Sequence, residues 1–266
     1  MYDHYNRHIH YLRISVTDRC NLRCRYCMPE EGVQLMRHED MLSYEEIVHV
    51  VKAASLMGID KIRLTGGEPL IRRSLADLVA MLASVSGIKD ISLTTNGLLL
   101  RQYAHALKMA GLQRLNVSLD TLNPEKYRLI TRGGDLTRVL DGIRAAREAG
   151  LDPVKINCVV FQSSDEEDAL MVKEYAGREG LQVRFIRQMD LETGEFSVVE
   201  GGDGGNCSRC NRLRLTANGM LKPCLFSDQE FSVRQLGAGQ ALSRALQAKP
   251  QKGCFNVTGK FYNIGG

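Results

Sequence analysis

Apolar and polar positions fall into short blocks over the first two thirds of the chain, and the period switches as the blocks succeed one another. Residues 11–17, Tyr-Leu-Arg-Ile-Ser-Val-Thr, are apolar or β-branched with Leu12, Ile14 and Val16 on one side, which predicts a strand. Ser43-Tyr44-Glu45-Glu46 fits a capping box, with Glu46 at the third position. Ile47, Val50, Val51 and Ala54 continue at helical spacing until Gly58. A strand at 61–65 follows, then Gly66-Gly67-Glu68-Pro69 and a helix over 74–85. Further strands are expected at 90–95, 114–119, 153–161 and 182–187. Helices are expected over 98–110, 136–149 and 165–179, ending at Gly111, Gly150 and Gly180. Six strand–helix units with short connections predict an α/β fold with a parallel sheet. Periodicity alone does not separate six strands from eight.

From Met189 the pattern is lost. Residues 190–206 contain five glycines and little periodicity, which predicts a loop or linker. Cys207-Ser208-Arg209-Cys210-Asn211-Arg212-Leu213-Arg214-Leu215 follows, and Ala217-Asn218-Gly219 predicts a hairpin turn that carries Cys224 back beside the first pair. The chain therefore divides into a large domain, 1–188, and a small C-terminal region, 189–266.

Composition narrows the class. The 266 residues are 44% hydrophobic and 25% charged, ordinary for a globular protein with a sizeable core. No long apolar run suggests a membrane span, and Met1-Tyr2-Asp3-His4 begins no apolar signal core. The net charge of +4 is too small to argue for nucleic acid. Eight cysteines, mostly clustered, read as metal-binding thiols in a reducing cytoplasm.

The chemistry concentrates at Cys20, Cys24 and Cys27, spaced C-x3-C-x2-C. An iron–sulfur cluster normally takes four thiolates, so three leave one iron open to another ligand. Zinc is the alternative, with His4, His8 or His10 as fourth ligand, though the triplet fits its usual paired ligands poorly. Cys207, Cys210 and Cys224 form a second triad, for which spacing alone leaves zinc, with Cys254 as fourth ligand, equally open. Gly66 and Gly67 let the backbone approach a ligand at a strand end. Thr95, Ser118 and, less clearly, Asn157 stand near the C-terminal strand ends, where a barrel places its chemistry. Arg13 and Arg63 lie on strands, and buried arginines require a partner. Cys158 reads as a small core residue, and Met36 and Met41 as packing.

The first triplet, with Tyr26 before its last cysteine, resembles the signature of the radical S-adenosylmethionine (SAM) superfamily. Leu12 to Cys20, Thr94-Thr95-Asn96-Gly97, Lys155-Ile156-Asn157, the second cysteine motif and Gly265-Gly266 resemble, more narrowly, the GTP 3′,8-cyclases (MoaA family) of molybdenum cofactor biosynthesis. The resemblance covers nearly the whole chain. It implies a partial six-stranded (βα)6 TIM-like barrel, open on one side. It implies a 4Fe-4S cluster on Cys20, Cys24 and Cys27, with SAM held near Tyr26, Met28, Gly67, Glu68, Thr95, Ser118, Asn157 and Met189. It implies a second 4Fe-4S cluster on Cys207, Cys210 and Cys224 whose open iron takes the guanine of GTP. Arg13, Lys61, Arg63, Thr94, Lys155, Arg184, Arg212 and Arg214 match positions around the nucleotide and its phosphates. In that family a 5′-deoxyadenosyl radical takes hydrogen from C3′ of the ribose, and the C3′ radical attacks C8 of guanine. The tail, Gly265-Gly266, is implied to reach the active site. An electron donor and a downstream pterin synthase are the implied partners, with a homodimer left open. No nucleic-acid or membrane partner is expected.

The chain departs from the family in a much shorter segment between Met189 and Cys207, and in Arg187 where an acidic residue is usual. Two readings stay open: a competent cyclase with its ligand residues kept, or a related enzyme acting on another nucleotide or a peptide. The Arg212-Leu213-Arg214 run favours the nucleotide.

Overall fold

The computed structural model describes residues 1–189 and 196–253. The elements of the first part are β1 (Tyr11–Ser15), α1 (Tyr44–Leu56), β2 (Lys61–Thr65), α2 (Leu75–Ala83), β3 (Asp90–Thr95), α3 (Leu100–Met109), β4 (Arg114–Ser118), α4 (Pro124–Thr131), α5 (Leu136–Glu148), β5 (Val154–Val160), α6 (Glu167–Arg178) and β6 (Gln182–Arg187). β7 (Arg212–Leu215), β8 (Met220–Lys222), β9 (Phe231–Ser232), α7 (Val233–Leu236) and α8 (Ala238–Gln247) complete the described chain. Most expected elements end one or two residues early, as frayed ends do.

The nine strands form one sheet in the order β6-β5-β4-β3-β2-β1-β7-β8-β9. Neighbours from β1 to β6 pair in parallel, as strand–helix–strand units require. β7 adds in parallel to the free side of β1, and β8 and β9 continue antiparallel. The sheet nevertheless curls. Arg184 on β6 lies within charge-interaction range of Tyr11 and Arg13 on β1, five strands away. The result is a partial barrel.

Pleating explains the two faces. Leu12, Ile14, Ile62, Leu64, Leu93, Leu115, Val117 and Ile156 are buried in the hydrophobic core, together with Cys158, which bears out its reading as a core residue. Their neighbours, Tyr11, Arg13, Lys61, Arg63, Ser92, Thr94, Asn116, Lys155, Asn157 and Arg184, occupy the other, concave face in matched register.

The local signals held where they were short-range. Ser43 Oγ accepts from Glu46 N at 3.1 Å, and Ser43 N donates to Glu46 Oε2 at 2.8 Å, so the capping box starts α1. The hairpin turn between β7 and β8 is closed by Thr216 N donating to Met220 O at 2.9 Å, with Gly219 at φ +83°. Helix α4 was not anticipated. Its cap is visible in the sequence, since Asn123 Oδ1 accepts from Glu125 N and Lys126 N before Pro124 opens the turn, but it buries only Tyr127 and Thr131 and leaves little period to detect. The C-terminal helices α7 and α8 were also unforeseen. Within the expected loop, Glu200 forms a two-bond antiparallel bridge with Phe185, at 3.0 and 3.1 Å, against the edge strand β6. The Gly265-Gly266 tail and Cys254 lie outside the described residues.

Candidate active site in the open barrel

The cysteine loop leaves β1 at its C-terminal end and is fixed by three neighbours. The first is the segment after β2. Gly67 N donates to Thr17 O and Glu68 N to Arg19 O, both at 2.8 Å. A Cβ on Gly67 would stand 2.1 Å from Arg19 O, and one on Gly66 2.5 Å from Thr17 O. The glycines therefore serve a close approach of backbone to backbone. Glu68 is fully buried. Oε1 accepts from Thr95 Oγ1 at 2.7 Å and from Leu70 N at 3.0 Å, and Oε2 from Asn96 N at 2.7 Å. Burial pushes this carboxyl up to about 7.

The second neighbour is α4. Arg23 N and Arg25 N donate to Thr131 O and Ile130 O, carbonyls a helix end leaves without internal partners. Arg132 Nη1 donates to Arg23 O and Met28 O. The third is the end of β4: Tyr26 Oη donates to Asp120 Oδ2 at 2.7 Å, while Val159 N donates to Asp120 Oδ1 at 2.8 Å.

The thiols of this loop share one environment. Burial, then the neighbouring cysteines and Asp120, push Cys24 and Cys27 up to about 12, and burial raises Cys20 as well. Three thiolates here require a cation. Among the described residues no three Cys, His, Asp or Glu side chains converge tightly enough to hold one metal ion. Three thiols from one short loop, raised together by burial, are a donor set of the kind a cluster takes, each thiolate on its own iron. Of the histidines that zinc could recruit, His10 is already engaged, its Nδ1 pairing with Asp60 Oδ1 at 2.8 Å.

Below the loop the concave face is cationic. Arg13, Lys61, Arg63, Lys155, Arg184, Arg212 and Arg214 come from five strands. Among the described residues the carboxylates near these cations are few: Asp90 pairs with Lys61 at 3.4 Å and also with Arg114, and Asp203 lies in charge-interaction range of Arg184. Burial, and then like charges, push Arg63 and Arg214 down to about 9. Thr94 Oγ1, Asn157 Oδ1, Arg184 Nε and Arg212 Nε are buried without a hydrogen-bond partner. Such atoms are costly in isolation, and they leave this face with hydrogen-bonding capacity that a ligand could use. Ser118 and Asn157 are adjacent in register; Met28 is buried and Met189 half-buried.

The hairpin carries Cys210 and Cys224 to common neighbours. Lys249, buried, hydrogen-bonds the Cys210 thiol and lies in charge-interaction range of Cys224. Its Nζ also donates to Arg212 O at 2.7 Å and Pro223 O at 2.9 Å, tying the two ends of the hairpin. Burial raises the Cys210 thiol, but Lys249 and Arg212 outweigh it and hold the thiol below its usual range. Arg7, ion-paired with Asp3 at 2.6 Å, donates to Cys207 O at 2.7 Å and anchors the remaining cysteine.

Residues 14–176 match the radical SAM superfamily, and residues 173–255 match the family described as Molybdenum Cofactor Synthesis C. The chain is 42% identical to the GTP 3′,8-cyclase of Moorella thermoacetica over 303 positions, covering 94% of each chain. It is 42% identical to that of Pelotomaculum thermopropionicum over 307 positions, covering 95% of this chain and 94% of the relative. The chain belongs to the radical SAM superfamily and, within it, to the GTP 3′,8-cyclase family. The 303-position alignment exceeds this chain's 266 residues, so its cyclase relatives carry residues with no counterpart here. Among solved structures, Streptococcus suis SuiB bound to S-adenosylmethionine superposes with a TM-score of 0.63 at 16% identity, over 94% of this chain and 66% of that one. The structure of anSMEcpe with bound AdoMet and the Kp18Cys peptide gives 0.63 at 17%, over 91% and 81%. Both show the fold alone.

Membership of the superfamily implies one 4Fe-4S cluster and SAM. No helix among the described residues is long and apolar enough to cross a membrane. Sequence reasoning passed over four residues of this site. Tyr11 sits on the cationic face two positions before Arg13, Asn116 accepts from Arg184 Nη1 at 3.2 Å, Asp120 holds Tyr26, and buried Lys222 pairs in register with Arg214. Each lies on a strand or strand end already marked by another candidate, so alternation along the strand was the available signal.

Proposed function

We propose that the chain is a radical SAM lyase that converts GTP to (8S)-3′,8-cyclo-7,8-dihydroguanosine 5′-triphosphate, the first step of molybdenum cofactor biosynthesis. The observation that carries this reading is the cationic floor, with few carboxylates and with orphaned donors at Arg184 and Arg212, below a loop of three cysteines. A triphosphate needs several cations, and guanidinium forks suit phosphate oxygens.

Cys20, Cys24 and Cys27 hold the first cluster, which when bound supplies the electron that cleaves SAM. Glu68 and Thr95 brace the wall behind the loop, and Ser118 and Asn157 face SAM. Cys207, Cys210 and Cys224 form a donor set for a second 4Fe-4S cluster, supported by their common position at the hairpin's ends and by the neighbouring cations Lys249 and Arg212. Arg13, Lys61, Arg63, Lys155, Arg184, Arg212 and Arg214 bind the phosphates, and Thr94 orients the nucleotide. The reading carries with it a cytoplasmic setting, a reductant, and a downstream pterin synthase that consumes the product.

Anaerobically reconstituted protein should contain about eight irons per chain if two 4Fe-4S clusters form. Reaction with SAM, dithionite and GTP should give 5′-deoxyadenosine and a cyclised nucleotide of unchanged mass and shifted retention. 5′-Deoxyadenosine with untouched GTP would move the assignment to another nucleotide or a peptide, the reading favoured by the missing residues relative to the cyclases.

A further inference from the structure

Tyr11 stands at the centre of the cationic floor. It is 4% exposed, yet its neighbours on the concave face are charged. Its ring centroid lies 5.4 Å from Lys61 Nζ, and 5.5, 5.7 and 6.0 Å from the guanidinium carbons of Arg63, Arg212 and Arg13. Its phenol oxygen accepts from Arg13 Nε at 3.3 Å. Register produces this: Tyr11 is opposite Lys61 on one side and Arg212 on the other, with Arg13 and Arg63 one pleat further along.

Four cations this close repel one another, and burial removes the water that would screen them. A carboxylate at position 11 would gather them, but it would also neutralise them and oppose an incoming anion. An aromatic face attracts cations while carrying no net charge. We propose that Tyr11 is a positioning residue for the polyphosphate: its ring holds Arg13, Lys61, Arg63 and Arg212 as a preformed anion cradle, and its phenol orients the Arg13 guanidinium. The proposal rests on the floor being the phosphate site of GTP. The phenol itself reports the cluster, because burial raises its pKa but the surrounding arginines bring it down to about 8.

The test is anaerobic calorimetry on the reconstituted protein with GTP, inorganic tripolyphosphate and SAM. Tyr11→Leu should weaken GTP and tripolyphosphate by about tenfold or more, the scale of several lost cation–ring contacts, and leave SAM within about twofold. Tyr11→Phe, which keeps the ring, should stay within about threefold of the unmodified protein. If Tyr11→Leu does not fold, shown by loss of its thermal transition, Tyr11→Met removes the ring with an unbranched side chain. Unchanged polyphosphate affinity without the ring overturns the proposal, as does an equal loss of SAM. Unmodified protein that binds tripolyphosphate but not GTP keeps the cradle and rejects the nucleotide reading; binding of neither rejects both.

Discussion

Tyr26 Oη donates to Asp120 Oδ2 at 2.7 Å, joining the cysteine loop to the strand end that starts the α4 connection. The aspartate is buried, and its other oxygen accepts from Val159 N. Tyr26→Phe should cost about 1–3 kcal/mol, the usual penalty of a buried acceptor left without its donor. Anaerobic urea unfolding reads the loss, and Tyr26→Phe combined with Asp120→Ala should cost little more than Asp120→Ala alone. Full additivity would show that the contact contributes nothing.

Glu68 gives the fold a pH dependence of known sign. Its native pKa, raised by burial to about 7, exceeds the unfolded value near 4.5. The native state therefore binds the extra proton between these limits, and stability falls as pH rises through the window. The penalty approaches about 3 kcal/mol above it. Glu68→Gln cannot titrate, so the stability difference between the unmodified protein and this variant should shrink steadily from pH 4.5 to pH 8. A constant difference would place the carboxyl's titration outside the window.

The cysteines should separate by reactivity in metal-free protein. Thiolates alkylate and thiols do not. Cys210 is held below its usual range by Lys249 and Arg212 against the opposing effect of burial, whereas Cys24 and Cys27 are pushed up to about 12. Iodoacetamide at pH 8 should label Cys210 first and Cys24 and Cys27 last, as read by peptide mass spectrometry. Labelling in the reverse order would contradict the charge environments described.

Cys24→Ser should abolish SAM cleavage, because a cluster that loses one of its three thiolates is not retained. Continued production of 5′-deoxyadenosine would reject the assignment of the first triplet.

Arg212→Ala with Arg214→Ala should weaken GTP by about 100-fold or more, since charged hydrogen bonds contribute about 1.5–3 kcal/mol each. Affinity for GTP in the unmodified protein should also fall as salt rises. Unchanged affinity in the double variant would remove both arginines from the nucleotide site.

The sequence alone determined the repeating units and brought the first three cysteines into one loop. Ser43 and Glu46 cap α1 through atoms three residues apart, and the α/β alternation follows from apolar spacing within single elements. The cysteine triplet was legible for the same reason: three thiols within eight residues need no distant folding to meet. What depended on the tertiary structure is everything contributed across the sheet. Gly67 accommodates the carbonyl of Arg19, a residue from another strand's loop, and no local rule names that partner. No local rule predicts that Glu68, in the segment after β2, is buried and fixed in the wall by three donors from other residues. Arg212 becomes part of the barrel floor only because β7 pairs with β1, which places it opposite Tyr11. Side-chain period is set by neighbours along the chain, whereas charge density depends on which strands curl to face one another, and that is decided by packing over long sequence separations.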